Sequence, residues 1–399
     1  MSSEPQYKSR TAIILIILLL RSVSLGIRAL ALPLYFVSIG RSASEWGLGS
    51  AVYAFAMMLA EPSWGGIVDR RGPAVPLLAG ALGMAALVPL LALSRSLWPL
   101  LIIQLARGAM EVAGGPAGRQ ALAHSLGPGR KAVGIGLFQA CISAGNALGP
   151  LLGGFLVQRS GYGAAFVACG ATALLAAAIT LSNRARLRIT RDSEPAASPR
   201  ALEEEGEPAR GWLTTFAALA TVGASLFAGV AVGRAFIPLL GNSVLGLPPE
   251  QLAAMLSITG LLGGPLTVAL GRLSDLWGRR PLIVGGLAAI GSGLLGCALA
   301  RGFWSLAACN LLLSAGMAAA VPAAVALVTD ITPFARQGRM IGLYGSSEDL
   351  GYMIGPLLCG LVWDAWGPRP ALVISSLAVA AGIGAALAVH ERPRTRAAA

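Results

Sequence analysis

The sequence predicts an all-α membrane protein of twelve transmembrane helices in two pseudo-symmetric six-helix halves, and three observations carry that prediction. Apolar runs of membrane-crossing length recur from Thr11 to Val389. Basic residues concentrate in alternate loops. The second half of the chain repeats the first at a constant offset of 206 positions.

Of 399 residues, 55% are hydrophobic and only 12% charged, where soluble domains carry about 25% charged residues. With a mean hydropathy of +0.72, the chain must be solvated mainly by lipid. Only helices and closed barrels satisfy their backbone in hydrocarbon, and unbroken runs rather than alternation select helices. The predicted spans are 11–40, 44–68, 73–94, 97–123, 131–158, 162–183, 212–240, 248–271, 281–300, 303–329, 336–363 and 368–389. The first run continues past Leu32 without a small-residue cleavage pattern, so it reads as a retained helix rather than a secretory signal.

A formal net charge of +12 would suit a nucleic-acid partner if the charges shared a surface. They do not. With the N-terminus inside, the cytoplasmic segments hold twenty Lys and Arg, and the outer loops hold five: Arg41, Arg95, Arg159, Arg301 and Arg369. This positive-inside bias places both termini in the cytoplasm of a bacterial-type inner membrane and accounts for the charge without nucleic acid. Cys141, Cys169, Cys297, Cys309 and Cys359 fall within predicted helices without CxxC pairing and read as small core residues. His124 and His390 are too far apart in sequence to suggest a metal site, and no cofactor is expected.

The repeat pairs Gly65-Gly66-Ile67-Val68-Asp69 with Gly271-Arg272-Leu273-Ser274-Asp275, and Gly145-Asn146-Ala147-Leu148-Gly149-Pro150 with Gly351-Tyr352-Met353-Ile354-Gly355-Pro356. The same offset joins Arg28 to Arg234 and Arg130 to Arg336. A register held without a gap across so many helices divides the chain into an N-terminal half, 1–183, and a C-terminal half, 212–399. Between them, 184–211 carries Glu203-Glu204-Glu205 with Pro195, Pro199 and Pro208, which reads as a solvated cytoplasmic linker.

Gly271-Arg272-Leu273-Ser274-Asp275-Leu276-Trp277-Gly278-Arg279-Arg280 resembles the loop signature of the major facilitator superfamily between helices 8 and 9, with Leu276 in place of a common Arg. The helix 2–3 copy keeps Gly65, Asp69, Arg70 and Gly72, but Pro73-Ala74 replaces the terminal basic pair. The resemblance implies a cytoplasmic gate. Its glycines let helices approach, and each aspartate meets a helix start in the other half: Asp69 near Arg336, and Asp275 near Arg130. The run from Gly145 through Gly149, Pro150 and Gly153 to Gly154 resembles the antiporter signature of the drug:proton antiporters. Its partial copy holds Gly351, Gly355 and Pro356, with Cys359 where Gly153 maps. Both stretches read as grooves for a rocking partner helix, or as packing between the halves.

Ionisable groups in mid-membrane are costly and mark functional candidates. Predicted helices 3, 6, 9 and 12 hold none there, Arg369 lying at the outer end of the twelfth, which suits the lipid-facing place the resemblance gives them. On the cavity-lining helices that the resemblance implies, Arg28, Arg107 and Arg234 are candidates for binding an anionic group through bidentate guanidinium contacts. Arg107 and Glu111 stand one turn apart and can pair. Glu61, Glu111, Glu348 and Asp349 are candidate proton carriers, and the turn of an α-helix leaves only one of Glu348 and Asp349 facing the cavity squarely.

The resemblance implies proton-coupled export of a small amphipathic or drug-like molecule by a monomer in the lipid bilayer, through alternating access. An organic-anion importer or exchanger using the three arginines is the second reading. An intramembrane enzyme or receptor is the third, and the chain shows no nucleophile motif or soluble sensory domain for it.

Overall fold

The computed structural model describes residues 4–125, 131–185, 187, 212–332 and 337–388. Among them every regular element is a helix: α1 (Glu4–Ser38), α2 (Ala43–Arg71), α3 (Ala74–Leu91), α4 (Leu97–Glu111), α5 (Gly114–Ser125), α6 (Lys131–Ser182), α7 (Trp212–Ser243), α8 (Pro249–Trp277), α9 (Arg279–Leu299), α10 (Phe303–Ile331), α11 (Gln337–Trp366) and α12 (Pro368–Ala388). Nine of the described helices are long and apolar enough to cross a membrane.

Three local features reconcile nine with a twelve-pass path. At 52 residues, α6 would run about 78 Å if straight, far more than one bilayer. Gly161, at φ 80° and ψ 177°, breaks it between the predicted fifth and sixth spans. α11 is long enough but carries Glu348 and Asp349 midway. The fourth span corrects the expectation of one helix over 97–123, because the chain is interrupted at Val112 and Ala113. There Pro116 excludes the Val112 carbonyl from its usual bond, and Gly114-Gly115 adds backbone freedom. At the repeat-related place, Ala320-Val321-Pro322 stays inside an unbroken α10.

Packing sorts the helices into two groups. α1 and α3 pack on α6, and α2 on α4; separately, α7 packs on α11 and α12, and α9 on α10 and α12. The groups meet where α2 faces α11, α6 faces α8 and α1 faces α7.

The glycine grooves each receive a partner helix, but not one from the other half. Gly145, Gly149 and Gly153 form one face of α6, but that face receives α1 of the same group: a Cβ on Gly149 would stand 2.6 Å from the Gly26 Cα, and one on Gly153 would stand 3.0 Å from the Ile27 carbonyl. Gly351 and Gly355 receive α7 at Ala224 and Ala228 in the same way. These residues therefore tighten each half internally. Gly154, one position further and about 100° round the helix, is the residue that faces Pro249 and Ala253 of α8. α6 remains helical through Pro150.

Candidate functional site

α1, α2, α4, α7 and α11 enclose a central cavity of about 370 Å³, within the range of small-molecule sites. Each helix contributes one face. Leu25, Arg28, Ala29 and Leu32 line it from α1, and Phe227, Ala231, Arg234 and Ala235 from α7. The helical three-to-four spacing sets those faces.

Arg28, Arg107 and Glu111 come together as a closed ionic cluster. Arg28 donates to both Glu111 carboxylate oxygens at 2.8 Å, and Arg107 Nη1 donates to Oε2 at 3.2 Å. Arg107 Nε donates to Gln104 Oε1 at 2.9 Å, and its guanidinium lies 4.0 Å from the centre of the Tyr53 ring. All three ionic residues are buried, at 5%, 6% and 4% exposure. An arginine–carboxylate fork of this geometry is a strong, charge-assisted contact. The sequence anticipates the one-turn Arg107 to Glu111 pair, but the bidentate Arg28 contact joins residues 83 positions apart and is a product of the fold.

Arg21 completes the cluster. Its Nη2 donates to the Glu111 backbone carbonyl at 3.0 Å, at the interruption between α4 and α5 where that carbonyl has lost its helical partner. Arg234 shares the cavity but joins neither arginine; its Nη2 contacts Met317 Sδ at 3.8 Å.

Glu348 and Asp349 both line the cavity. Tyr344 stands beside Glu348, yet neither its hydroxyl nor Glu348 Oε1 makes a hydrogen bond of normal geometry. Glu61 on α2 lies within electrostatic reach of both carboxylates. The seam of α2 and α11 is thus an acidic wall, opposite in sign to the arginines of α1 and α4.

The two ends of the bundle differ. At the sparsely charged end, Asp364 of α11 accepts the Ala43 N–H at 3.1 Å and the Ser44 N–H at 2.8 Å, while Ser44 Oγ donates to the Gly360 carbonyl at 3.2 Å. A carboxylate on the first turn of α2 meets unsatisfied N–H groups and the positive end of the helix dipole. Trp46 Nε1 adds a bond to the Ala235 carbonyl at 3.0 Å, tying α2 to α7. Asp364 went unrecognised in the sequence, where an acid near a helix end reads as a boundary.

At the basic end the glycines of the two groups have no close neighbour among the described residues. A Cβ on Gly65, Gly271, Gly136 or Gly342 would meet no heavy atom within 4 Å among the described residues. The close approach expected at Gly65 and Gly271 is therefore not made among the described residues. Gly72 and Gly278 have a clear local role: at φ 75° and 98° they end α2 and α8, donating to the Val68 and Ser274 carbonyls. Asp69 and Arg70 are exposed. Asp275 pairs with Arg279 at 2.6 Å, and Arg279 also reaches Asp330 at 3.4 Å. Arg280 donates to the Ala386 carbonyl at 3.1 Å. Arg130 and Arg336 lie outside the described residues.

The model of the Major Facilitator Superfamily matches residues 14–273 and again 219–399. Multidrug resistance protein MdtG of Enterobacter lignolyticus (strain SCF1) is 26% identical over 362 residues, covering 87% of this chain and 84% of that protein. MdtG of Proteus mirabilis (strain HI4320) is 26% identical over 358 residues, covering 87% of each. Among solved structures, a bacterial homologue of the human lysosomal transporter Spinster, inward-facing and unoccupied, superposes with a TM-score of 0.80 at 17% identity, covering 98% of this chain and 99% of that one.

Proposed function

The chain belongs to the Major Facilitator Superfamily and is a multi-pass membrane transporter, and on that premise we propose that it exports a small amphipathic or drug-like molecule in exchange for protons by alternating access. One observation carries the coupling. Both carboxylate oxygens of Glu111 are taken up by Arg28 and Arg107, whereas Glu348 and Asp349 line the same cavity and form no ion pair among the described residues. A carboxyl left without a counter-ion in low dielectric is the group that exchanges protons near neutral pH. The MdtG relatives named for multidrug resistance support the direction and substrate class.

The transport cycle follows from the two ends. With both termini taken as cytoplasmic, the basic end is cytoplasmic, and we read the parted glycines as an inward-open state and the Asp364 contacts as a closed outer gate. In inverted vesicles with an acidic lumen, a member of an amphipathic drug panel that spans cations, anions and zwitterions should accumulate against its gradient, and a protonophore should abolish the accumulation. Accumulation indifferent to the protonophore would overturn proton coupling.

Opening the outer gate must break the Asp364 bonds. The Asp364→Ala variant should therefore favour the outward-facing state and raise outside labelling of a Ser50→Cys cavity probe by about tenfold, since two charge-assisted bonds exceed the roughly 1.4 kcal/mol that corresponds to a factor of ten. Unchanged labelling would reduce Asp364 to a helix cap.

A further inference from the structure

We propose that the transported molecule is a zwitterionic amphipath, whose carboxylate takes at Arg234 the place that Glu111 holds at Arg28, and whose ammonium meets Glu348 and Asp349. The inference rests on the export reading for the location of the site and adds the chemistry of what fills it.

The repeat supplies the first argument. Arg28 and Arg234 are repeat mates, and so are Glu111 and Met317, separated by the same 206 positions. In the N-terminal half the pair is a buried bidentate salt bridge. In the C-terminal half the arginine is kept, and the position of its acid holds a methionine, whose sulfur contacts Arg234 Nη2 at 3.8 Å. Arg107, the second cation on Glu111, maps to Leu313. The C-terminal half thus presents one guanidinium facing the cavity with its counter-ion deleted. A thioether is a weak acceptor, so Arg234 lacks the carboxylate that satisfies its mate.

The acidic wall supplies the second argument, independently of the first. Glu348, Asp349, Tyr352 and Pro356 line the cavity from one face of α11, and α11 packs directly on α7, which carries Arg234. Apart from the cluster of Arg21, Arg28, Arg107 and Glu111, Arg234 and two carboxylates without ion pairs among the described residues therefore share a cavity of about 370 Å³. A monocation would leave Arg234 unmatched on binding, and a monoanion would leave the carboxylates unmatched. Arg234 is exposed to the cavity, so the cost of an unmatched charge falls when the apolar body of a ligand displaces the cavity water. A molecule bearing both charges across an apolar body satisfies both, with Phe227 and Tyr352 available to its apolar part.

The test is equilibrium binding to the full chain in nanodiscs, with no gradient. Three forms of one naphthyl amphipath serve as probes: the free amino acid, its methyl ester and its N-acetyl derivative. The amino acid should bind at least about tenfold tighter than either single-charge form, as expected for one added charge-assisted contact. Arg234→Gln should lower the amino acid to the affinity of the ester, and Met317→Glu should do the same while raising thermal stability, because it rebuilds the internal pair. Glu348→Gln combined with Asp349→Asn should lower the amino acid to the affinity of the N-acetyl form. Equal binding of the ester and the amino acid, or an amino-acid affinity unchanged by Arg234→Gln, or no binding of any form, would overturn the proposal. If this binding order holds while gradient-driven accumulation fails, export is wrong and the doubly charged site stands.

Discussion

Replacing Glu111 with Gln should cost about 3–5 kcal/mol of stability, the range for removing one partner of a buried ion pair. Arg28, Arg107 and Glu111 are all nearly inaccessible, and both oxygens of the carboxylate are occupied by guanidinium groups. Without its charge, two buried cations face each other with no counter-ion, and Arg21 adds a third nearby. The measurement is thermal unfolding of the purified protein in detergent, read by size-exclusion profile. Arg28→Met, Arg107→Met and Glu111→Leu combined should recover much of the loss, because apolar replacement of a whole buried ionic cluster is often neutral. A Glu111→Gln protein as stable as its parent would show that the carboxylate is not the shared counter-ion.

The second large effect is on coupling, and it should leave folding intact. Glu348→Gln with Asp349→Asn removes the carboxyl groups that line the cavity without ion pairs among the described residues. The double variant should assemble at parental levels and unfold at the parental temperature or above it, since burying an unpaired carboxyl is a cost rather than a gain. Its gradient-driven accumulation should fall by at least about tenfold, and the dependence of substrate affinity on pH should disappear, because proton and substrate are linked through the same groups. Accumulation at the parental rate in a well-folded double variant would exclude these carboxylates as the proton carriers. The contrast with Glu111 is the informative part: one carboxylate should fail in stability, the other two in transport.

Much of the molecule was legible from the chain alone, for a physical reason that applies to any protein in lipid. Hydrocarbon forces helices, so the spans follow from composition and length. Gly72 and Gly278 stood out in the sequence as parts of the loop signatures, but that they end α2 and α8, at a positive φ that glycine readily takes, came from the fold. The pairing of Arg107 with Glu111 was legible because helix pitch brings residues four apart together. What pitch and composition could not convey is which helix faces which. The groove of Gly145, Gly149 and Gly153 receives α1 instead of the other half. The Arg28 fork on Glu111, the Arg21 bond at the interrupted fourth span, and the Asp364 clamp on α2 all join residues more than 80 positions apart. Such contacts depend on helix rotation and tilt, which side-chain packing sets across the whole bundle. The repeat is the instructive case. Sequence alone aligned Arg28 with Arg234, yet it was the folded Glu111 contact that revealed Met317 as the position where the second copy lacks its acid.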